Sequence, residues 1–157
     1  MKSLVVYYSW SGNTQKIARL IQELTDGDIV ELIPETPYPS SYNATLEQAK
    51  KEIQANYKPP LKTKIDNIED YEIIFVGSPN WWGTMAPPAA TFLSQYDLSG
   101  KKIAPFISHG GGGKQRIVEN IRKLCHNSKI LKVLVIYGSG GKGLENDISE
   151  WLKEVLK

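Results

Sequence analysis

The hydrophobic positions of this chain fall into two alternating kinds of run. Short, nearly continuous apolar runs occur at Leu4–Tyr8, Ile73–Val76 and Ile103–Ile107, and such runs are typical of strands that are buried on both faces. Other, longer runs have an apolar residue every three or four positions, and 144–156 is the clearest of them. That spacing places the apolar side chains on one face of a helix. The alternation of strands and helices predicts an α/β fold.

The pattern predicts five strands and five helices. The strands are expected at 3–8, 28–33, 72–77, 102–108 and 130–137, and the helices at 14–25, 86–96, 114–125 and 144–156, with one more near Tyr42–Asn56. This last helix lies in an excursion from Pro34 to Glu69, whose Pro-rich start we expect to be an ordered loop. The chain should form a single domain, 1–157, with a mostly parallel sheet and helices on both faces. Periodicity alone does not give the strand order.

Composition and charge narrow the class of protein. The formal net charge is only +2, and the lysines are dispersed without the interleaved aromatic residues of a nucleic-acid groove. We therefore expect no nucleic-acid partner. No run is long enough to span a membrane and no signal-peptide cleavage region follows the first residues, so we expect no membrane attachment. The single cysteine, Cys125, suits a reducing cytoplasm and a buried position, and with two histidines it gives no metal site.

The loop between the first strand and the first helix carries the most informative residues, Ser9-Trp10-Ser11-Gly12-Asn13-Thr14. Gly12 lets the backbone approach a ligand closely. The first turn of the helix presents free N–H groups at the positive end of the helix dipole. Ser9, Ser11 and Thr14 add hydroxyl donors, and the loop contains no Lys or Arg. These features predict a neutral phosphate-binding loop, and an ordinary helix cap is the alternative.

Two further strands also end in loops that suit a ligand. The third predicted strand leads into Pro79-Asn80-Trp81-Trp82-Gly83, and the fourth leads into Ser108-His109-Gly110-Gly111-Gly112-Gly113. Ligands of open parallel sheets bind beyond the carboxyl ends of the strands, so all three loops should lie along one edge. Together they offer phosphate donors, aromatic rings and bare backbone amides. A ligand with a phosphate and a flat polycyclic ring would satisfy all three.

In this order the three loops resemble those of the flavodoxins, and in particular of short flavodoxin-like proteins that bind flavin mononucleotide (FMN). The resemblance continues through Pro37-Tyr38-Pro39, Thr91-Phe92-Leu93 and Trp151-Leu152, so it covers essentially the whole chain. It implies a doubly wound, five-stranded sheet in the order 2-1-3-4-5 and FMN as a non-covalent cofactor. The fifth strand is expected to run without interruption, as in the short form of the family.

The resemblance assigns the cofactor contacts to residues of the three loops. These residues are Ser9, Trp10, Ser11, Gly12, Asn13, Thr14, Pro79, Asn80, Trp81, Trp82, Gly83, Ser108, His109, Gly110, Gly111, Gly112 and Gly113. The flavin carries the chemistry, so no catalytic side chain is expected. One tryptophan should stack on the ring, and Trp82, beside Gly83, is favoured over Trp81. His109 is either a modulator of the flavin potential or a surface histidine, and Tyr42 or Tyr38 is a candidate to cover the ligand.

The predicted function is electron transfer through the bound flavin to redox partner proteins, by a monomer or a homodimer. The alternative is an FMN-dependent NAD(P)H:quinone oxidoreductase. Gly77–Pro79, Gly83–Met85 and His109–Gly112 also resemble the tryptophan-repressor-binding-protein type of quinone reductase, although that family is longer and tetrameric. A third possibility is a phosphate-binding module without a flavin. Gly138–Gly143 is predicted only as a glycine-rich turn into the last helix.

Overall fold

The apolar runs form a central sheet in a computed structural model, which describes residues 2–157. The strands are β1 (Ser3–Tyr7), β2 (Asp28–Glu31), β3 (Ile73–Trp81), β4 (Thr84–Met85), β5 (Lys102–His109), β6 (Lys129–Ile130) and β7 (Leu134–Tyr137). The helices are α1 (Asn13–Thr25), α2 (Tyr42–Gln54), α3 (Pro87–Gln95), α4 (Ile117–Leu124) and α5 (Leu144–Val155). Short 3-10 turns cover Ile68–Asp70 and Gly141–Gly143.

The sheet is parallel except at one short strand. Its order is β2-β1-β3-β5-β6, and β7 also pairs in parallel with β5. Because β6 and β7 pair with the same neighbour, they are two pieces of one strand position. The predicted α/β fold with the order 2-1-3-4-5 is therefore confirmed. The exception is β4, which pairs antiparallel with the end of β3.

Each face of the sheet carries its own hydrophobic core. Successive strand residues point to opposite faces, so Leu4 of β1 packs in the cluster beneath α3 and α4, whereas Val5 packs in the cluster beneath α1 and α5. Both side chains are fully buried, which explains why β1 is apolar at every position after Ser3. Within residues 2–157, none of the helices is both long and apolar enough to cross a membrane.

The third strand is longer than predicted and ends in a hairpin instead of a loop. It continues past Gly77 to Trp81, turns at Trp82 and Gly83, and returns as β4. The φ angles of Trp82 and Gly83 are 57° and 79°. Two consecutive residues with positive φ are typical of a two-residue hairpin turn. The pattern missed this hairpin because Gly77 and Pro79 usually mark the end of a strand.

The fifth strand is interrupted at residues 131–133, so the expectation of a continuous strand is wrong. The N–H of Leu131 still bonds to the carbonyl oxygen of Ile103 at 2.8 Å. The next carbonyl, that of Lys132, accepts a hydrogen bond from the indole N–H of Trp151 at 2.7 Å. This carbonyl therefore binds α5, and across the gap the pairing with β5 shifts by one residue, from Ile103 opposite Ile130 to Phe106 opposite Leu134.

The Pro-rich start of the excursion after β2 is held by hydrogen bonds at both of its ends. The N–H of Glu35 donates to the carbonyl of Pro60 at 2.9 Å. The carbonyl of Pro39 accepts from the Trp10 indole at 3.1 Å and from the Thr45 hydroxyl at 2.8 Å. These contacts hold the start of α2 against the loop that follows β1.

The thiol of Cys125 should make the stability of the protein fall at high pH. It is 6 % exposed, and burial raises its pKa from 9.0 to about 11. Between these two pKa values the native state keeps a proton that the unfolded state has lost. The free energy of unfolding therefore falls as the pH rises through this range. From pH 9 to pH 11, the free energy of unfolding should fall by about 2 kcal/mol more in the wild type than in Cys125→Ala. Urea denaturation at several pH values measures this, and parallel declines in the two proteins would contradict it.

Candidate functional site

The carboxyl ends of β1, β3 and β5 meet at one edge of the sheet, where a cleft of about 310 Å³ opens. Its lining comes from the three predicted loops, from α2 and from the turn after β7: Trp10, Ser11, Asn13, Tyr42, Pro79, Asn80, Trp81, Ser108, His109, Gly110 and Gly138. None of these lining residues is Asp, Glu, Lys or Arg. The cleft is therefore aromatic and neutral, with a volume at the lower end of the range for small-molecule sites.

The loop between β1 and α1 is arranged around Gly12, whose φ of 100° requires glycine. The Ser9 hydroxyl accepts a hydrogen bond from the Gly12 N–H at 3.1 Å, and the Ser11 hydroxyl accepts from the Asn13 N–H at 3.5 Å. A hydroxyl can accept and donate at once, so both serines can still donate to a ligand. The N–H of Thr14, in the first turn of α1, has no acceptor within the helix. The loop can therefore hold an anion with neutral donors.

The side chain of Thr14 has a different position from the one that the sequence suggests. It is 1 % exposed, and its hydroxyl oxygen lies 2.8 Å from that of Ser108 at the end of β5. This buried pair fixes the start of α1 to the neighbouring loop. Thr14 therefore contributes its backbone N–H to the loop, while its side chain has a bracing role.

Aromatic side chains form part of the cleft wall. Trp81 is 2 % exposed, and its ring packs edge-on against Tyr8 and Tyr38 at centroid distances of 5.6 Å and 5.4 Å. The rings of Trp10 and Tyr42 are 5.2 Å apart. Trp81 is thus held rigidly by the core, whereas Tyr42 is 49 % exposed at the cleft.

Trp82, the tryptophan favoured by the sequence for stacking, is not among the residues that line the cleft. Its indole N–H donates to the carbonyl of Leu46 in α2 at 2.7 Å, and the Nζ atom of Lys50 lies 5.1 Å from its ring centroid. Trp82 is the first residue of the hairpin turn, with a φ of 57°, so its side chain leaves the strand outside the cleft. The preference for Trp82 rested on treating this segment as a loop.

Asn80 joins the hairpin to the glycine-rich loop. Its amide nitrogen donates to the carbonyl of Gly113 at 2.7 Å and to Oε1 of Gln115 at 2.9 Å, and its oxygen accepts from the N–H of Gly83 at 2.9 Å. Gln115 has a φ of 38°, so α4 begins only at Ile117 and not at 114 as predicted. One side chain therefore fixes the relative position of two ligand-facing loops.

His109 is held in a defined tautomer. Its Nδ1 atom accepts a hydrogen bond from the N–H of Gly111 at 2.9 Å, so the proton of the neutral ring lies on Nε2. The ring packs edge-on against Tyr137 at a centroid distance of 5.5 Å. Protonation at Nδ1 would replace an acceptor with a donor and break the contact with Gly111.

The remaining predicted residues shape the loops without lining the cleft: Ser9, Gly12, Thr14, Trp82, Gly83, Gly111, Gly112 and Gly113. Gly138 also lines the cleft but was not predicted as a site residue from the sequence. It follows directly after β7, so the rule that ligands bind beyond the carboxyl ends of parallel strands could have identified it. Of the two covering candidates, Tyr42 lines the cleft. Tyr38 instead donates to Oε1 of Glu52 at 2.6 Å, and burial together with this carboxylate raises the pKa of its hydroxyl.

Comparisons with known proteins identify the family and the fold of the chain. A family model described as flavodoxin matches residues 2–155. A crystallised protein of Bacteroides eggerthii DSM 20697 is 26 % identical, with a TM-score of 0.87 over 99 % of this chain and 98 % of that one. The flavoprotein of Lactobacillus acidophilus NCFM, crystallised in complex with FMN, is 26 % identical, with a TM-score of 0.77 over 96 % and 97 %. Flavodoxin 2 of Bacillus cereus, at 21 % identity and a TM-score of 0.62 over 99 % and 98 %, shares the fold.

Proposed function

The chain belongs to the flavodoxin family, and from this premise we propose that it is an electron carrier that holds one FMN non-covalently in the cleft. The observation that supports this most is the pairing of a neutral anion-binding loop with an aromatic wall in one cleft. These two features fit the two ends of FMN, a phosphate and a flat ring. Bound FMN would supply the electron-transfer chemistry, and the protein would set its position and surroundings.

The phosphate is assigned to the loop before α1. Ser11 and Asn13 of this loop line the cleft, and the first turn of α1 adds free N–H groups. Hydrogen bonds to a charged acceptor are stronger than those between neutral groups, and the helix dipole adds to them. A Cβ atom on Gly12 would meet nothing within 4 Å. Glycine is thus needed there for its φ of 100°, which sets the direction of the loop.

The flavin ring is assigned to the wall formed by Trp10, Tyr42 and Trp81. Aromatic rings stack on flat ligands with a gain of about 1 kcal/mol beyond the area that they bury. The glycine-rich loop after β5 adds backbone groups at Gly110 without side chains in the way. The carbonyl and amide positions of this loop are fixed by Asn80 through its bond to Gly113.

We expect Tyr42→Ala to weaken the binding of both FMN and riboflavin by about 1–1.5 kcal/mol, because it removes one ring from the cleft wall. Tyr42 is 49 % exposed, so the fold should tolerate the change. Trp82→Ala is the matched control, since Trp82 is 43 % exposed but does not line the cleft. Quenching of flavin fluorescence measures both affinities. A larger loss in Trp82→Ala than in Tyr42→Ala would reverse the assignment of the ring.

A carrier needs a reductase and an acceptor, and we propose redox proteins in both roles. The single buried cysteine suits a reducing compartment and supports a cytoplasmic location. The test is anaerobic mixing of the FMN-loaded protein with NADPH, first with a quinone and then with a ferredoxin-type reductase, while flavin absorbance is followed. We expect little reduction until the reductase is added. Rapid quinone turnover with NADPH alone would contradict the carrier and identify a quinone oxidoreductase.

A further inference from the structure

A second cavity, of about 270 Å³, lies between α2, α3 and α4. It is separate from the proposed FMN cleft, because the two share no lining residue. The hairpin divides them: Trp81 borders the cleft, whereas Thr84 and Met85 of β4 border the second cavity. The side chains of Thr84 and Asn120 are hydrogen-bonded to each other at this border. We call this second cavity the α2–α4 cavity.

Part of the lining of the α2–α4 cavity is apolar. Ile53, Met85, Ala90 and Leu124 contribute aliphatic or thioether groups, and Tyr57 contributes an aromatic ring that is 51 % exposed. Thioether and aromatic groups pack well against flat apolar ligands. An apolar ring could therefore bury part of its surface there.

The rest of the lining is positively charged. Lys58, Arg116 and Lys123 all line the cavity, and among residues 2–157 none of them has a carboxylate oxygen within 4.0 Å. Arg116 donates to the carbonyl of Trp82 at 3.4 Å, and Lys58 donates to the side-chain oxygen of Asn56 at 3.3 Å. Both of these acceptors are neutral. Three cations thus face the cavity without a counter-ion.

One carboxylate, that of Glu52, also lines the cavity, but both of its oxygens are already engaged. Oε1 accepts from the Tyr38 hydroxyl at 2.6 Å, and Oε2 accepts from the Gln48 amide at 3.1 Å. The Glu52 carboxylate is therefore held by Gln48 within α2 and by Tyr38, which precedes this helix. The three cations and one carboxylate give the cavity lining a formal net charge of +2.

We propose that the α2–α4 cavity binds a small aromatic carboxylate. The apolar lining suits a ring, and the cations suit an anionic substituent, with the planar guanidinium of Arg116 matched to a carboxylate. The volume is just below the range for drug-sized ligands, which limits the ligand to about one or two fused rings. A ligand with only a ring would contact the apolar residues and leave the cations unpaired, and a ligand with only a charge would do the reverse.

The test uses 2-naphthoate and 2-naphthamide, which have the same rings and differ in charge. Each is titrated into isotope-labelled, FMN-loaded protein while the backbone amide resonances are followed by NMR. We expect 2-naphthoate to give saturable shifts at Thr84, Met85, Asn120 and Lys123, and to bind more tightly than the amide. Inorganic phosphate should not displace it, since phosphate makes no apolar contact. Shifts confined to the FMN cleft, shifts scattered over the surface, or equal affinities for the two compounds would overturn the proposal.

Variants of the charged lining sharpen this test. Lys123→Gln and Arg116→Gln should each raise the dissociation constant of 2-naphthoate about fivefold, while binding of 2-naphthamide should not change. Arg122→Gln makes the same change of charge in the same helix, but Arg122 does not line the cavity, so it should have less than a twofold effect. Equal effects of Arg122→Gln and Lys123→Gln would show that 2-naphthoate is attracted only non-specifically by surface charge, and would overturn the proposal.

Discussion

Asn13→Asp should remove most of the affinity for FMN and leave the affinity for riboflavin nearly unchanged. The substitution keeps the shape of the side chain but places a carboxylate in the cleft, at the first residue of α1. Two like charges brought together at a binding site cost several kcal/mol, and FMN carries a phosphate there whereas riboflavin carries none. We therefore expect the FMN affinity to fall at least 100-fold, which corresponds to about 3 kcal/mol.

The fold should survive this substitution. The first turn of α1 contains no acidic residue, and an acidic residue at a helix N-terminus stabilises the helix by about 0.3–1 kcal/mol. Asn13→Ala is the neutral control and should lose much less FMN affinity. Thr14→Asp is less informative, because Thr14 is 1 % exposed and a carboxylate there would be buried. Fluorescence quenching measures both ligands, and equal losses for FMN and riboflavin would mean that the loop does not hold the phosphate.

Asn80→Asp should weaken the binding of FMN and riboflavin alike, by about 2–3 kcal/mol. In the wild type, the amide nitrogen donates to the carbonyl of Gly113 and to Oε1 of Gln115, at 2.7 Å and 2.9 Å. A carboxylate cannot donate, so its contact with the Gly113 carbonyl becomes one between two acceptors, whereas the Gln115 amide can turn to present its nitrogen. The acceptor bond from the Gly83 N–H is retained. The glycine-rich loop should therefore separate from the hairpin, and the ring should lose its ordered surroundings.

Asn127→Asp is the charge-matched control for this prediction. Asn127 is exposed and precedes β6, so it lies at the edge of the sheet opposite the cleft. It should leave both affinities unchanged. Titration of each flavin into the two variants gives the comparison. Unchanged riboflavin binding in Asn80→Asp would show that the bond between the two loops is not needed to hold the ring.

The apolar runs and their ends were sufficient to predict the α/β fold class and the edge at which the cleft forms, whereas the strand order came only from the resemblance to the flavodoxins. The hairpin at Trp82 was not predictable from this pattern, since Gly77 and Pro79 inside β3 are residues that usually break strands. The preference for Trp82 over Trp81 as the stacking residue rested on treating this segment as a loop. Local pattern predicts where a loop lies along the sheet, but the side-chain directions depend on whether the segment is strand or loop.

Contacts between distant parts of the chain account for the other differences. The Thr14–Ser108 pair joins residues 94 positions apart, and nothing in either local sequence indicates that the two hydroxyls meet. The indole of Trp151 likewise donates to the carbonyl of Lys132, 19 positions away, within the gap of the fifth strand. Hydroxyl and indole groups have several potential partners, and only the folded arrangement selects one of them.

The most direct test of the account is an amide NMR titration of the isotope-labelled protein, freed of flavin, with FMN and separately with riboflavin. We predict that both ligands shift the resonances of the hairpin and of the glycine-rich loop after β5. FMN alone should produce large additional shifts at Ser11–Gln15, where the phosphate is assigned. Equal shifts at Ser11–Gln15 with the two ligands, or FMN-induced shifts that avoid the cleft, would contradict the assignment of FMN to this site.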